Sequence, residues 1–228
     1  MLIDIPYLRE KVRVFRDRCD AGAKLAEMLM AYKDSSAIVL ALPAGGVQVA
    51  ASVAEKLGLP LDVAVVSKIT LPWDTETGFG AVAFDQTVHL NEQMLAGLDL
   101  SREQVKQRIK LTAEKVARRV QKFRGNKPFP DLSERPVFLV DDGIASGFTM
   151  LAAAEAVTKM NPGRIIIAVP TGHKQPLQQL IAMAEAAYCT NVRGSLSFAV
   201  ADAYKTWSDV DETEAAEILH RFNRDNKP

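Results

Sequence analysis

The chain contains few of the residues that usually mark metal-binding or disulfide-bonded proteins. It has two cysteines, Cys19 and Cys189, and three histidines, and no C-x-x-C or other metal-ligand spacing is present. We therefore expect neither a disulfide framework nor a zinc site, and two reduced thiols instead.

An excess of either charge sign is also missing. The 28 lysines and arginines balance 28 aspartates and glutamates, so bulk attraction to nucleic acid is not expected. No apolar run approaches the roughly 20 residues needed to span a bilayer. The first ten residues lack the apolar core of a signal peptide. These observations predict a cytoplasmic protein with no membrane partner, for which a nucleic-acid partner is not expected.

Short apolar runs that suit buried strands alternate with segments of helical spacing. Hydrophobic residues make up 48% of the chain, enough for a sizeable core. Strands are predicted at 37–42, 61–69, 137–140 and 165–169. Helices are predicted at 15–32, 47–57, 101–123, 150–160, 175–187 and 211–222. This alternation predicts an α/β fold with an open, mostly parallel sheet, flanking helices and one domain over 1–228.

The most informative segment runs from Val137 to Thr149. An apolar strand ends in Asp141 and Asp142, and a loop of small residues leads into an alanine-rich helix. Backbone amides of such a turn and a helix N-terminus favour a phosphate, while adjacent acids suit hydroxyl groups or a metal. A phosphate beside a diol describes a ribose 5-phosphate. The alternative is an ordinary strand-to-helix connection, in which capping would explain a serine or threonine but not two consecutive acids.

At these residues the chain resembles the type I phosphoribosyltransferases. Their signature is an apolar strand, two acids, four loop residues and Gly-x-Thr, which matches Asp141-Asp142, 143–146 and Gly147-Phe148-Thr149. The resemblance implies the fold of that family with a small hood or C-terminal segment. It also implies transfer of ribose 5-phosphate from phosphoribosyl pyrophosphate to a nitrogenous base, with Mg²⁺, in a homodimer.

The resemblance further implies roles for individual residues. The 5-phosphate would be held by Ala145, Ser146, Gly147, Phe148 and Thr149. The diphosphate would be held by Ala44, Gly45 and Gly46. The catalytic residues would be Asp141, Asp142, Lys68 and Glu76. No direct metal ligand is implied, and the two acids would reach magnesium through water.

Three departures or special features qualify this resemblance. Ala44 stands where related sequences usually carry a basic residue, and Lys68 is expected to supply the missing cation as a mobile point charge. Residues 70–80, with Trp73 among them, are expected to form a flexible loop that closes over the substrate. Ala145 replaces the aspartate of 6-oxopurine enzymes, which argues against hypoxanthine or guanine, and 170–174 is expected to face the base.

Two other interpretations stay open. The same fold could bind a ribose phosphate or nucleotide without turnover, as a sensing module, and Gly45-Gly46 could be a plain turn. A nucleic-acid-binding regulator is disfavoured, because acidic residues interrupt the basic residues of the 101–123 helix and its end. We therefore expect these basic side chains to form a solvated face: Lys106, Arg108, Lys110, Lys115, Arg118, Arg119, Lys122 and Arg124.

Overall fold

The computed structural model describes residues 1–195 and 197–226, except for the side chains of Thr75 and Glu76. The strands are β1 Leu2–Asp4, β2 Ile38–Ala41, β3 Leu61–Val63, β4 Val66–Leu71, β5 Asp74–Ala83, β6 Val88–Leu90, β7 Pro136–Val140, β8 Arg164–His173 and β9 Ala186–Arg193. The helices are α1 Arg18–Met28, α2 Gly46–Leu57, α3 Glu92–Ala96, α4 Arg102–Arg124, α5 Phe148–Thr158, α6 Lys174–Leu180 and α7 Glu212–Asp225.

Six parallel strands form the main sheet in the order β1-β9-β8-β7-β2-β3. All four residues of β2 are buried, as expected for a strand covered on both faces. One face packs against α1, α2, α7 and part of α4, and the other packs against α5 and α6. The predicted fold class is therefore confirmed.

The apolar run 61–69, predicted as one strand, is divided between two sheets. Strand β3 ends the main sheet, and after Ala64 and Val65 the chain begins β4 of a separate antiparallel sheet with the order β4-β5-β6. The predicted flexible loop 70–80 is thus largely a hairpin. Its apolar side chains at Ile69, Leu71 and Phe79 are buried, which explains why the segment is ordered as strand.

Helix ends follow local capping residues more closely than the predicted bounds. Asp17 caps α1, because its carboxylate accepts a hydrogen bond from the amide of Asp20. Ser101 and Gln104 form a capping box at the start of α4. Residues 186 and 187, predicted as helix, begin β9 instead, since pairing with β8 outweighs the helix preference of alanine.

Within the described residues, no helix combines the length and the apolar character needed to cross a membrane.

Candidate active site

The loops that follow β2 and β7 lie side by side, because these strands are parallel neighbours with Ala41 opposite Val140. A Cβ atom added to Gly45 would lie 2.0 Å from Oδ2 of Asp142. One added to Gly46 would lie 2.8 Å from the carbonyl oxygen of Val140. The two glycines therefore allow the β2 loop to pack directly on the acidic pair. This contact gives them a role that the sequence interpretation, which assigned them to a diphosphate, did not include.

Asp142 is held in place by side chains from distant parts of the chain. Nε of Arg18 donates to Oδ2 of Asp142 at 2.8 Å, and these side chains are only 7% and 15% exposed. The guanidinium carbon of Arg18 lies 3.9 Å from the centroid of the Trp207 ring, a cation–π contact. The hydroxyl of Tyr204 donates to the backbone carbonyl of Asp142 at 2.6 Å. The second acid is therefore fixed before any ligand binds.

The two carboxylates have different charged neighbours, which affect their pKa values differently. Burial raises the pKa of Asp141 well above its ordinary value, and the neighbouring charge of Asp142 raises it further. Burial also raises the pKa of Asp142, but Arg18 opposes this shift. Asp141 therefore takes up a proton more readily than Asp142, and in that form it would donate to as well as accept from a ligand hydroxyl.

The loop after the acids has backbone amides available for an anion. The Ile144 amide donates to Thr171 at 3.0 Å and its carbonyl accepts from His173 at 2.8 Å, which anchors the loop to β8. The next five amides, those of residues 145–149, have no acceptor in the described chain. Gly147, with φ of +80°, turns the chain into α5. The amides at the start of α5 add the positive end of its dipole.

A cavity of about 240 Å³ lies over these amides and the acidic pair. It brings together most residues that the sequence assigned to the 5-phosphate and to catalysis. Its lining residues are Lys68, Asp141, Asp142, Gly143, Ile144, Ala145, Ser146, Gly147, Thr149 and Val200. The side chain of Phe148 instead lies near His89, with ring centroids 6.0 Å apart. Phe148 can therefore contribute its backbone amide rather than its ring.

A second cavity, of about 370 Å³, shares Lys68 and Thr149 with the first. It opens between the β2 loop, β4 and α4, and Ala44 lies in its wall. The Pro43–Ala44 peptide bond is cis. Lys68 lies within β4, opposite Ala81, rather than at the end of a main-sheet strand. The side chain of Glu76, assigned to catalysis from the sequence, lies outside the described residues.

Arg119 contributes to the lining of this second cavity. Its guanidinium donates to the carbonyls of Pro43 at 2.8 Å and Val66 at 2.5 Å, to Oγ of Ser67 at 2.9 Å and to Glu212 at 2.6 Å. Burial lowers the pKa of Arg119, and Glu212 opposes this effect. The expectation of a wholly solvated basic face is therefore wrong at this residue.

Arg124 is another exception, because it is buried and donates to Asp62 at 2.9 and 3.0 Å. Arg108 donates to the backbone carbonyl of Thr70 at 2.9 Å. Several basic side chains of α4 thus hold neighbouring elements together. The spacing offered a signal for Arg119, since it falls in register with the buried residues Thr112, Val116 and Phe123.

The segment 170–174, expected to face the base, largely continues β8. Thr171 is fully buried and its hydroxyl donates to Asn191. The rings of Phe198 and His173 have centroids 5.6 Å apart. The guanidinium carbon of Arg193 lies 4.9 Å from the centroid of the Phe198 ring. The structure thus places an aromatic ring beside a segment in which the sequence showed none.

Comparisons with known proteins agree with this geometry. The family model of the phosphoribosyl transferase domain matches residues 17–181. The Mycobacterium tuberculosis proteins Rv0571c and MT0597, from strains H37Rv and CDC 1551, are named as provisional phosphoribosyl transferases. Each is 34% identical over 216 residues, which cover 94% of this chain and 48% of theirs.

The chain thus spans about half the length of these relatives. The crystal structure of TT1426 from Thermus thermophilus matches with a TM-score of 0.74 and 33% identity, over 91% of this chain and 98% of that one. A mostly parallel sheet, a small antiparallel sheet and the matched family model agree with the type I phosphoribosyltransferase fold. The chain belongs to the phosphoribosyl transferase domain family.

Proposed function

We propose that this chain transfers ribose 5-phosphate from phosphoribosyl pyrophosphate to a nitrogenous base. The observation that carries the proposal is the row of five unpaired amides at residues 145–149, beside the half-buried acids Asp141 and Asp142. The amides suit the 5-phosphate, and the acids suit the two ribose hydroxyls that lie next to it. The second cavity extends from Lys68 and Thr149 towards Ala44, where the diphosphate of the same molecule would lie.

In the reaction, the bond between the anomeric carbon and the diphosphate oxygen breaks, and the diphosphate leaves with the electron pair. A ring nitrogen of the base attacks the anomeric carbon and loses its proton to solvent or to a group of the site. Positive charge develops on the sugar, as in other cleavages at an anomeric carbon. The chain would stabilise the negative charge on the leaving diphosphate through Lys68, and position the sugar through Asp141 and the loop amides.

The donor set fits magnesium only as an ion carried by the substrate. Within the described residues, no three histidine, cysteine, aspartate or glutamate side chains come together as a metal site. Mg²⁺ commonly keeps several waters and binds one or two carboxylates together with substrate phosphates. Asp141 and Asp142 suit that arrangement through water. When bound, the ion would neutralise charge on the diphosphate.

The test is calorimetric titration with phosphoribosyl pyrophosphate, with and without Mg²⁺, and with ribose 5-phosphate alongside. We expect Mg²⁺-dependent binding of phosphoribosyl pyrophosphate that is much tighter than binding of ribose 5-phosphate. Release of diphosphate in the presence of adenine, orotate or other bases would then identify the acceptor.

The absence of a cation at Ala44 favours a second candidate, a ribose-phosphate sensor on the same fold. Equal affinity for the two sugar phosphates and no diphosphate release with any base would support the sensor and overturn the transferase. An Asp141→Asn, Asp142→Asn variant that keeps full affinity would contradict both functions.

A further inference from the structure

The second cavity has an unequal distribution of charge around Ala44. The β2 loop supplies backbone and a methyl group, whereas cations reach the cavity from other elements: Lys68 from β4, and Lys115 and Arg119 from α4. Among the described residues of this wall, Glu212 is the acid. Its carboxylate is already paired with Arg119 at 2.6 Å, so within the described lining the two lysines carry the uncompensated charge.

Lys115 is available to bind a ligand. Its side chain is exposed, and in the part of the chain that the structure describes its ammonium group has no hydrogen-bond or ion-pair partner. It lies one helical turn before Arg119, so both side chains extend from the same face of α4. Lys68 likewise is exposed and has no such partner among the described residues.

Arg119 fixes the relative positions of these groups. Through hydrogen bonds to Pro43, Val66 and Ser67, it joins α4 to the β2 loop and to the start of β4. Its own charge is compensated by Glu212, so its role is structural support. Lys68, Lys115 and Ala44 are therefore held around one cavity by a single buried guanidinium.

We propose that Lys115 binds the diphosphate group of phosphoribosyl pyrophosphate together with Lys68, and so provides from α4 the cation that the β2 loop lacks at Ala44. This assignment rests on the proposed function, since it identifies the group that binds one end of that substrate. Two ammonium groups that reach one cavity from different elements suit a diphosphate, whose charge is spread over several oxygens.

The test compares Lys115→Gln with Lys110→Gln. Lys110 is an exposed lysine of the same helix that does not line either site cavity, so it controls for the loss of one surface charge. Each protein is titrated with phosphoribosyl pyrophosphate, inorganic diphosphate and ribose 5-phosphate, all with Mg²⁺. We expect Lys115→Gln to weaken the first two ligands about tenfold or more, as for loss of a charge-assisted hydrogen bond. Ribose 5-phosphate should bind within about twofold of its wild-type affinity, because its phosphate lies in the other cavity.

The charge-preserving variant Lys115→Arg should recover most of the lost affinity. Unchanged diphosphate affinity in Lys115→Gln, with a wild-type protein that binds phosphoribosyl pyrophosphate, would overturn this assignment and leave the proposed function standing. A wild-type protein that binds neither phosphoribosyl pyrophosphate nor diphosphate would overturn both. Equal losses in Lys115→Gln and Lys110→Gln would also reject a specific role for Lys115.

Discussion

The two sides of the candidate site differ in how their charged groups are satisfied. On the acid side, Asp142 accepts hydrogen bonds from Arg18 and Tyr204 and packs against Gly45. On the lysine side, Lys68 and Lys115 have no partner among the described residues. The acid side is thus organised before a ligand arrives, and the lysine side is left for a ligand to complete. Changes on the first side should affect folding, and changes on the second should affect binding.

The largest expected effect is that of Arg18→Met on stability. Removing the guanidinium leaves the Asp142 carboxylate, which is only 15% exposed, without its cation. Breaking a largely buried pair in this way typically costs about 3–5 kcal/mol of unfolding free energy. Urea unfolding measures this loss. Arg16→Met is the matched control, since Arg16 is 72% exposed and solvent screens its pair with Asp17, so its loss should be much smaller. Equal losses of unfolding free energy in the two variants would show that Arg18 does not organise the acid side of the site.

Gly45→Ala should have the next largest effect. Its new methyl group would lie 2.0 Å from the Asp142 carboxylate, so the β2 loop or the acid must move. Such overpacking typically costs about 1–3 kcal/mol. Gly97→Ala is the control, because its added Cβ would meet only the Met94 carbonyl at 3.5 Å. Thermal unfolding compares the two, and a Gly45→Ala protein as stable as the control would contradict close packing of the loop on the acids.

The raised pKa of Asp141 predicts a dependence of stability on pH. The folded state holds this proton more tightly than the unfolded state, in which the pKa of aspartate is about 3.9. The stability contributed by protonated Asp141 is therefore complete below that pH and is lost as pH rises towards the folded-state pKa. Asp141→Asn should remove this loss and be more stable than wild type at neutral pH, with the difference shrinking near pH 4.

Urea unfolding at several pH values measures this dependence. Asp99→Asn, at an exposed position outside the site, serves as control and should follow the wild-type profile. Parallel profiles for wild type and Asp141→Asn would show that folding does not raise the pKa of Asp141. Asp141→Asn should also bind ribose 5-phosphate more weakly, because the carboxylate that lowers stability at neutral pH is the one proposed to bind the ribose hydroxyls.

The smallest effect on stability is expected from Lys68→Gln. Since its ammonium group has no partner in the described chain, unfolding free energy should change by no more than about 0.5 kcal/mol. Affinity for phosphoribosyl pyrophosphate should nevertheless fall, and calorimetry measures it on the same samples. A variant that loses stability but keeps its affinity would reverse the proposed division between the two sides.

Local sequence was sufficient for the central strands of the main sheet and for the phosphate loop. The apolar runs at 37–42 and 137–140 correspond to β2 and β7, and a strand, two acids and a small-residue loop are adjacent in the chain. The parallel order then brings the β2 loop beside the acids through topology alone. These features need no long-range contact to be recognised.

The partners of the acids could not be predicted in this way. Arg18 and Tyr204 reach Asp142 across separations of 124 and 62 residues, and only the completed fold brings them together. The hairpin at β4–β5 was missed because its polar residues resemble a loop, while its strand character depends on the buried side chains of the opposite face. The burial of Arg119, by contrast, follows from its register with apolar residues and was open to prediction.

The contact between Tyr204 and Asp142 also bears on where this protein could be cut. The family match ends at residue 181, before β9 and before Tyr204 and Trp207. A fragment ended at that boundary would lose a strand that lies between β1 and β8, and with it the aromatic residues that steady Arg18 and Asp142. We therefore expect the smallest autonomous unit to be longer than the segment by which the family is recognised. Truncations should retain Tyr204, Trp207 and α7, because α7 packs on the main sheet and its Glu212 pairs with Arg119.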